Sequence, residues 1–202
     1  DGGLFVPKII PSNVFQELEN FEKSSYNDLA TKIIYKFCKD EFSENEIKEI
    51  VKSSYKDFRV QDVVKITKLE KMGLLELFHG PTLAFKDIAM QVIGSMYEKV
   101  LERNNLNINI IVATSGDTGA AAISAIKDRK NMKIFVLHPE NKISDVQRKF
   151  MTTVESKNVF NLSIENNFDD CQNFVKSMFA DKDFSNSINM SGVNSINWAR
   201  IV

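Results

Sequence analysis

The sequence predicts an α/β protein built from parallel βαβ units in three layers, preceded by a mostly helical N-terminal region. Three observations carry this. From Pro81 onward, short apolar runs of strand length alternate with amphipathic stretches of helical spacing. The stretches between the runs are long enough for crossover helices, which makes the strands parallel and the crossovers right-handed. Before that point, apolar residues recur mainly at helical spacing.

In chain order, Asp28 to Lys39 places Leu29, Ile33, Ile34 and Phe37 on one helical face. Ser43 and Glu46 form a capping-box pattern ahead of Ile47, Ile50 and Val51. Val63 to Leu69 and Leu74 to Phe78 alternate as strands do. Residues 86–103 carry a broad helical stripe from Ile88 to Leu101. Then follow a strand (Ile108 to Ala113), a helix of small residues (Thr118 to Lys127) and a strand (Lys133 to Leu137). A helix (Ser144 to Thr152), a strand (Val159 to Ile164), a helix (Phe168 to Phe179) and a terminal piece complete the order. No repeat or Pro/Gly/Ser linker is visible. The composition shift near Phe78 to Pro81 divides the chain into an expected helical region, 1–80, and an expected α/β domain, 81–202.

The 202 residues carry 26 basic and 27 acidic side chains, so no net field draws the chain to nucleic acid or anionic lipid. The longest apolar run is strand-sized, too short for a bilayer. Cys38 and Cys171 lie far apart without a CxxC spacing, which argues against a disulfide scaffold or a metal site and for a reducing, cytoplasmic compartment. His79 and His138 read as single residues without ligand partners at a useful spacing, and Asp169-Asp170 as the acidic first turn of a helix. The chain starts at Asp1 and stops within the apolar segment Trp198 to Val202, so the expectation is a piece of a longer chain.

Three segments could carry chemistry. Lys86 in His79-Gly80-Pro81-Thr82-Leu83-Ala84-Phe85-Lys86-Asp87 sits among Leu83, Ala84, Phe85, Ile88 and Ala89 at an expected helix start. Burial and the positive end of a helix both disfavour an ammonium, and a neutral amine is what Schiff-base chemistry with an aldehyde requires. The alternative is a lysine whose stem covers apolar surface. Thr114-Ser115-Gly116-Asp117-Thr118-Gly119 joins a strand to a helix, where backbone N–H groups and the helix end offer themselves to an anion. Asp117 would repel that anion; it either caps the helix or accepts a hydrogen bond from a ligand hydroxyl. In Asn194-Ser195-Ile196-Asn197-Trp198-Ala199-Arg200, the polar residues Asn194, Asn197 and Arg200 fall at i, i+3 and i+6. Arg200 could fork onto phosphate or carboxylate; a solvated face is the other reading. No GxSxG, P-loop, GxGxxG or HExxH pattern is present.

Taken together, these segments resemble threonine synthases, pyridoxal-phosphate enzymes of the tryptophan-synthase-β-like fold (fold type II). The resemblance rests on Asp1-Gly2-Gly3-Leu4-Phe5-Val6-Pro7, Leu77 to Asp87, Ala113 to Gly119, Ile143 to Thr153 and Asn194 to Ile201, in that order. It implies conversion of O-phospho-L-homoserine and water to L-threonine and phosphate, with pyridoxal 5'-phosphate as cofactor. Lys86 would hold the cofactor covalently and move protons, with Phe85 and Asp117 beside the cofactor. Thr114, Ser115, Gly116 and Thr118 would receive the substrate carboxylate, and Asn194, Asn197 and Arg200 the rest of the substrate, Arg200 taking its phosphate. Relatives in the wider fold often have Asn where Asp117 stands. The family's later Gly-rich phosphate loop and the residue facing the pyridine nitrogen have no match here, so the resemblance covers about half of such an enzyme. A phospholyase on another phosphorylated amino alcohol, or a truncated binding module, are the competing readings. Monomer and dimer both stay open.

Overall fold

The computed structural model describes residues 6–10, 21, 23–194 and 197–201, with the side chains of Trp198 and Ile201 set aside. The expected signature residues Asp1 to Phe5, and Ser195 and Ile196, lie outside the described residues. The described residues fall into two compact units, one from 1–92 and 196–202 and the other from 93–195. The composition shift near Phe78 to Pro81 lies within the first unit, and the division falls inside a helix.

In the first unit, α1 (Tyr26–Cys38) starts two residues earlier than expected because Ser25 caps it, its hydroxyl accepting the Asp28 N–H at 3.2 Å. α2 (Glu44–Tyr55) carries the full capping box: Ser43 accepts from the Glu46 N–H at 3.3 Å, and Glu46 from the Ser43 N–H at 2.9 Å. The two helices pack on each other through faces that bury Ile33, Ile34, Ile47, Ile50 and Val51. Ser54 and Tyr55 of α2 donate to the carbonyls of Gln91 and Ile88 at the start of α3 (Lys86–Asn104). Between them stands an antiparallel pair, β1 (Lys65–Lys68) with β2 (Gly73–Glu76). The expected strand from Val63 is cut short, because Val63 is buried at φ 64° in a turn and cannot be extended.

In the second unit, β3 (Ile108–Ala113), β4 (Met132–Pro139), β5 (Val159–Ile164) and β6 (Met190–Ser191) form one parallel sheet in the order β5-β4-β3-β6. Helices cover both faces, as parallel strands require. Ile110, Val112, Ile134 and Val136 point to one face, meeting Ala120, Ile123 and Ile126 of α4 (Asp117–Ile126) and Met151 of α5 (Asp145–Thr152). Ile111 and Leu137 point to the other, meeting Cys171 of α6 (Phe168–Ala180). Each fully buried Ile, Leu or Met here contributes about 1.5–3 kcal/mol of transfer free energy. The short α7 (Lys182–Ser187) and β6 were not legible: α7 depends on Asp181 accepting the Phe184 N–H at 2.9 Å, and β6 has only two residues. No helix among the described residues is long and apolar enough to cross a membrane.

Candidate active site

Lys86 is the first residue of α3, and the turn before it is held by the residue after it. Asp87 is fully buried, and its carboxylate accepts the Thr82 N–H at 2.8 Å and the Thr82 hydroxyl at 2.7 Å. Gly80 is required for this approach: a Cβ there would stand 2.5 Å from the Asp87 Cβ. The turn closes with the Leu83 N–H on the Gly80 carbonyl at 3.2 Å, and Leu83 takes φ 61°, a conformation leucine pays for sterically. The expected apolar pocket around Lys86 is one-sided. Ile88 and Ala89 are buried, whereas Leu83 and Phe85 remain 43% and 38% exposed, so Lys86 is half-buried. The turn geometry is the reason, since it projects Leu83 and Phe85 away from the face that α3 buries.

Phe85 brings two predicted residues together. The Lys86 Nζ stands 4.6 Å from the centroid of its ring and the Arg200 Cζ 4.9 Å from the same centroid. Arg200 is exposed on a 3₁₀ turn, Trp198–Ile201, that packs against α1. Asn194 is exposed in the coil after β6, in the second unit, while Asn197 spends its side-chain oxygen on the Ala199 N–H at 3.0 Å, starting the turn that carries Arg200.

Upstream of this motif, His79 pairs with one carboxylate. Its Nε2 stands 2.8 Å from Glu76 Oε2, a pairing at i, i+3 that the bend after β2 allows. Thr67 on β1 donates its hydroxyl to the other Glu76 oxygen. These bonds, the Thr67 hydroxyl first and His79 second, hold the Glu76 carboxyl below the usual carboxylate range.

In the second unit, the strand-to-helix turn lies at the carboxyl end of β3, where open α/β sheets place ligands. Thr114 serves this turn from inside: it is buried, and its hydroxyl accepts the N–H groups of Gly116 at 3.0 Å and Gly119 at 2.9 Å. Its side chain is therefore not the outward-facing group expected of a substrate ligand. Ser115 is exposed and Thr118 half-buried, at the start of α4. Asp117 is no cap, because Gly116 occupies that position without a side-chain bond. Its carboxylate instead accepts the Gln147 Nε2–H at 2.7 Å.

These features fit a pyridoxal phosphate. Lys86 is a primary amine on a half-buried residue in a braced turn, as an aldehyde requires, and the turn after β3, taken by itself, offers amides and hydroxyls suited to a carboxylate. Asp87, Glu76 and Gln147 were missed as supporting residues. The (i, i+5) contact from Thr82 to Asp87 left no signature beyond the motif itself.

Known proteins resemble this chain in sequence and fold. Residues 1–55 match the family model described as Threonine synthase N terminus. All of the chain aligns with the threonine synthases of Saccharomyces cerevisiae and Pseudomonas aeruginosa at 42% identity, covering 42% and 43% of their lengths. Among solved structures, PLP-bound threonine synthase from Brucella melitensis superposes with a TM-score of 0.91 at 43% identity, over 99% of this chain and 43% of that one. The chain thus spans less than half the length of the relatives it matches, and over that span it is similar to threonine synthases.

Proposed function

We propose that the protein carrying this chain converts O-phospho-L-homoserine and water to L-threonine and phosphate, as a cytoplasmic enzyme holding pyridoxal 5'-phosphate at Lys86. The observation that carries the reading is the pairing of Lys86 and Arg200 on one Phe85 ring, with Lys86 in a turn that a buried carboxylate braces. That arrangement offers an amine to an aldehyde and, nearby, a permanent cation to a phosphate. The cytoplasm is the compartment that two free cysteines favour.

The bound cofactor supplies the electron sink that stabilises negative charge next to the substrate's amine-bearing carbon. Lys86 would hold the cofactor through its amine and, once that amine is free, would take the proton from Cα. The same amine moves protons at Cβ and Cγ as phosphate leaves and water adds at Cβ. Arg200 forks onto the substrate phosphate and offsets the charge that grows on it as it departs. The Ser115-Gly116-Thr118 turn, held in shape by Thr114, receives the substrate carboxylate. Asp117 would stand near the cofactor's ring oxygen and Phe85 beside the cofactor, while Asn194 and Asn197 would contact the substrate.

The test is a coupled assay on the intact protein with pyridoxal phosphate. Phosphate and threonine released in equal amounts from O-phospho-L-homoserine, and lost in Lys86→Ala, is the expected result. Phosphate without threonine would replace this reading by that of a phospholyase. No product at all would reject it.

A further inference from the structure

We propose that Gln147 is a positioning residue that fixes the Asp117 carboxylate and the Gly116 backbone in the working shape of the turn. The proposal rests on the reading above, in which Asp117 faces the cofactor. Gln147 lies in the first turn of α5, thirty residues away from Asp117 in the chain and on a different βα connection. Three contacts define its place. Its Nε2–H donates to Asp117 Oδ1 at 2.7 Å, and its Oε1 accepts the Ser144 hydroxyl at 2.9 Å. Ser144 in turn accepts the Gln147 N–H at 3.3 Å, which caps α5.

The result is a one-directional chain in which the Ser144 hydroxyl donates to Gln147 and Gln147 to Asp117. Turning the Gln147 amide over would set its oxygen against a carboxylate oxygen at 2.7 Å, so the donor orientation is fixed. The third contact is steric. Gly116 has φ +139°, and a Cβ on it would stand 2.5 Å from Gln147 Cδ, 2.6 Å from Oε1 and 2.8 Å from Nε2. The Gln147 amide therefore lies flat on the glycine, closing the space beside it. One side chain thus holds both the acidic group and the backbone of the turn. The donor that Gln147 presents to Asp117 is a neutral amide.

The experiment compares wild type, Gln147→Met and Gln147→Glu in the intact, cofactor-loaded protein, each also in an Asp117→Asn background. Met keeps the length and removes the donor; Glu keeps the Ser144 bond and sets a second carboxylate against Asp117. The readouts are the pH midpoint of the absorbance of Lys86-bound cofactor and kcat/KM. Each Gln147 variant is expected to shift the midpoint and to lower kcat/KM about tenfold, the coupling usual within one hydrogen-bond network. In the Asp117→Asn background the same substitutions are expected to change kcat/KM less than about twofold, because the residue acts through Asp117. Wild-type absorbance with an unmoved midpoint in both variants would overturn the proposal alone. Equal losses in the two backgrounds would do so as well, reducing Gln147 to a general support of the fold. Absence of that absorbance in wild type would overturn the functional reading beneath it.

Discussion

Replacing Asp87 tests whether the Lys86 turn is held from below by one carboxylate. In Asp87→Ala, the Thr82 N–H and hydroxyl lose their acceptor in a place where Thr82 is only 9% exposed. The hydroxyl can rotate to another acceptor, but the amide cannot, and an orphaned buried donor costs about 1–3 kcal/mol. Removing the carboxylate also opens a void, offset in part because a buried charge need no longer be desolvated. The net expectation is a loss of about 2–4 kcal/mol. Asp87→Asn is gentler. Its oxygen can take the Thr82 N–H and its NH₂ can donate to the Thr82 hydroxyl oxygen, leaving only the loss of charge assistance, about 1 kcal/mol. Urea unfolding of the intact protein, followed by circular dichroism, gives both values. Ala and Asn variants of equal stability, or an Ala variant within about 0.5 kcal/mol of wild type, would refute the bracing argument.

The depressed Glu76 carboxyl contributes stability that is complete above its unfolded value of 4.5 and is lost as pH falls through its lower folded value. Melting curves of wild type and Glu76→Gln should accordingly differ at neutral pH and draw together as pH falls below 4.5; a constant gap across that range would contradict the Thr67–Glu76–His79 arrangement. Arg200→Ala should cost about 2–4 kcal/mol in kcat/KM with O-phospho-L-homoserine, the scale of losing a charged partner of a reacting group. Covalent cofactor binding at Lys86 should survive in that variant. Unchanged kinetics would reduce Arg200 to the cation that rests on Phe85.

Much of the fold was legible because apolar period and capping chemistry agreed. Ile108 to Ala113 and Val159 to Ile164 form strands with the expected bounds, and Ser43 with Glu46 forms the expected box. What was not legible depends on tertiary detail. Val63 alternates properly with its neighbours yet turns at φ 64°, and β6 exists because Asn109 and Ile110 present free edge groups to Met190 and Ser191. The site divides in the same way. The motif around Lys86 and the turn after β3 could be found from residue types alone. The partners of those residues could not: Asp87 on Thr82, Gln147 on Asp117 and Arg200 on Phe85 are contacts that only the folded chain makes. The role of the Thr114 hydroxyl inside the turn is likewise a contact of the folded chain, since it accepts two buried N–H groups.

The central claim is that Lys86 is the residue that takes the cofactor. Borohydride reduction of the intact protein in the presence of pyridoxal phosphate, followed by peptide mapping, reads this directly. One pyridoxyl group on the peptide containing Lys86, absent in Lys86→Ala, is the expected result. A label on another lysine, or a wild-type protein that retains none, would contradict it.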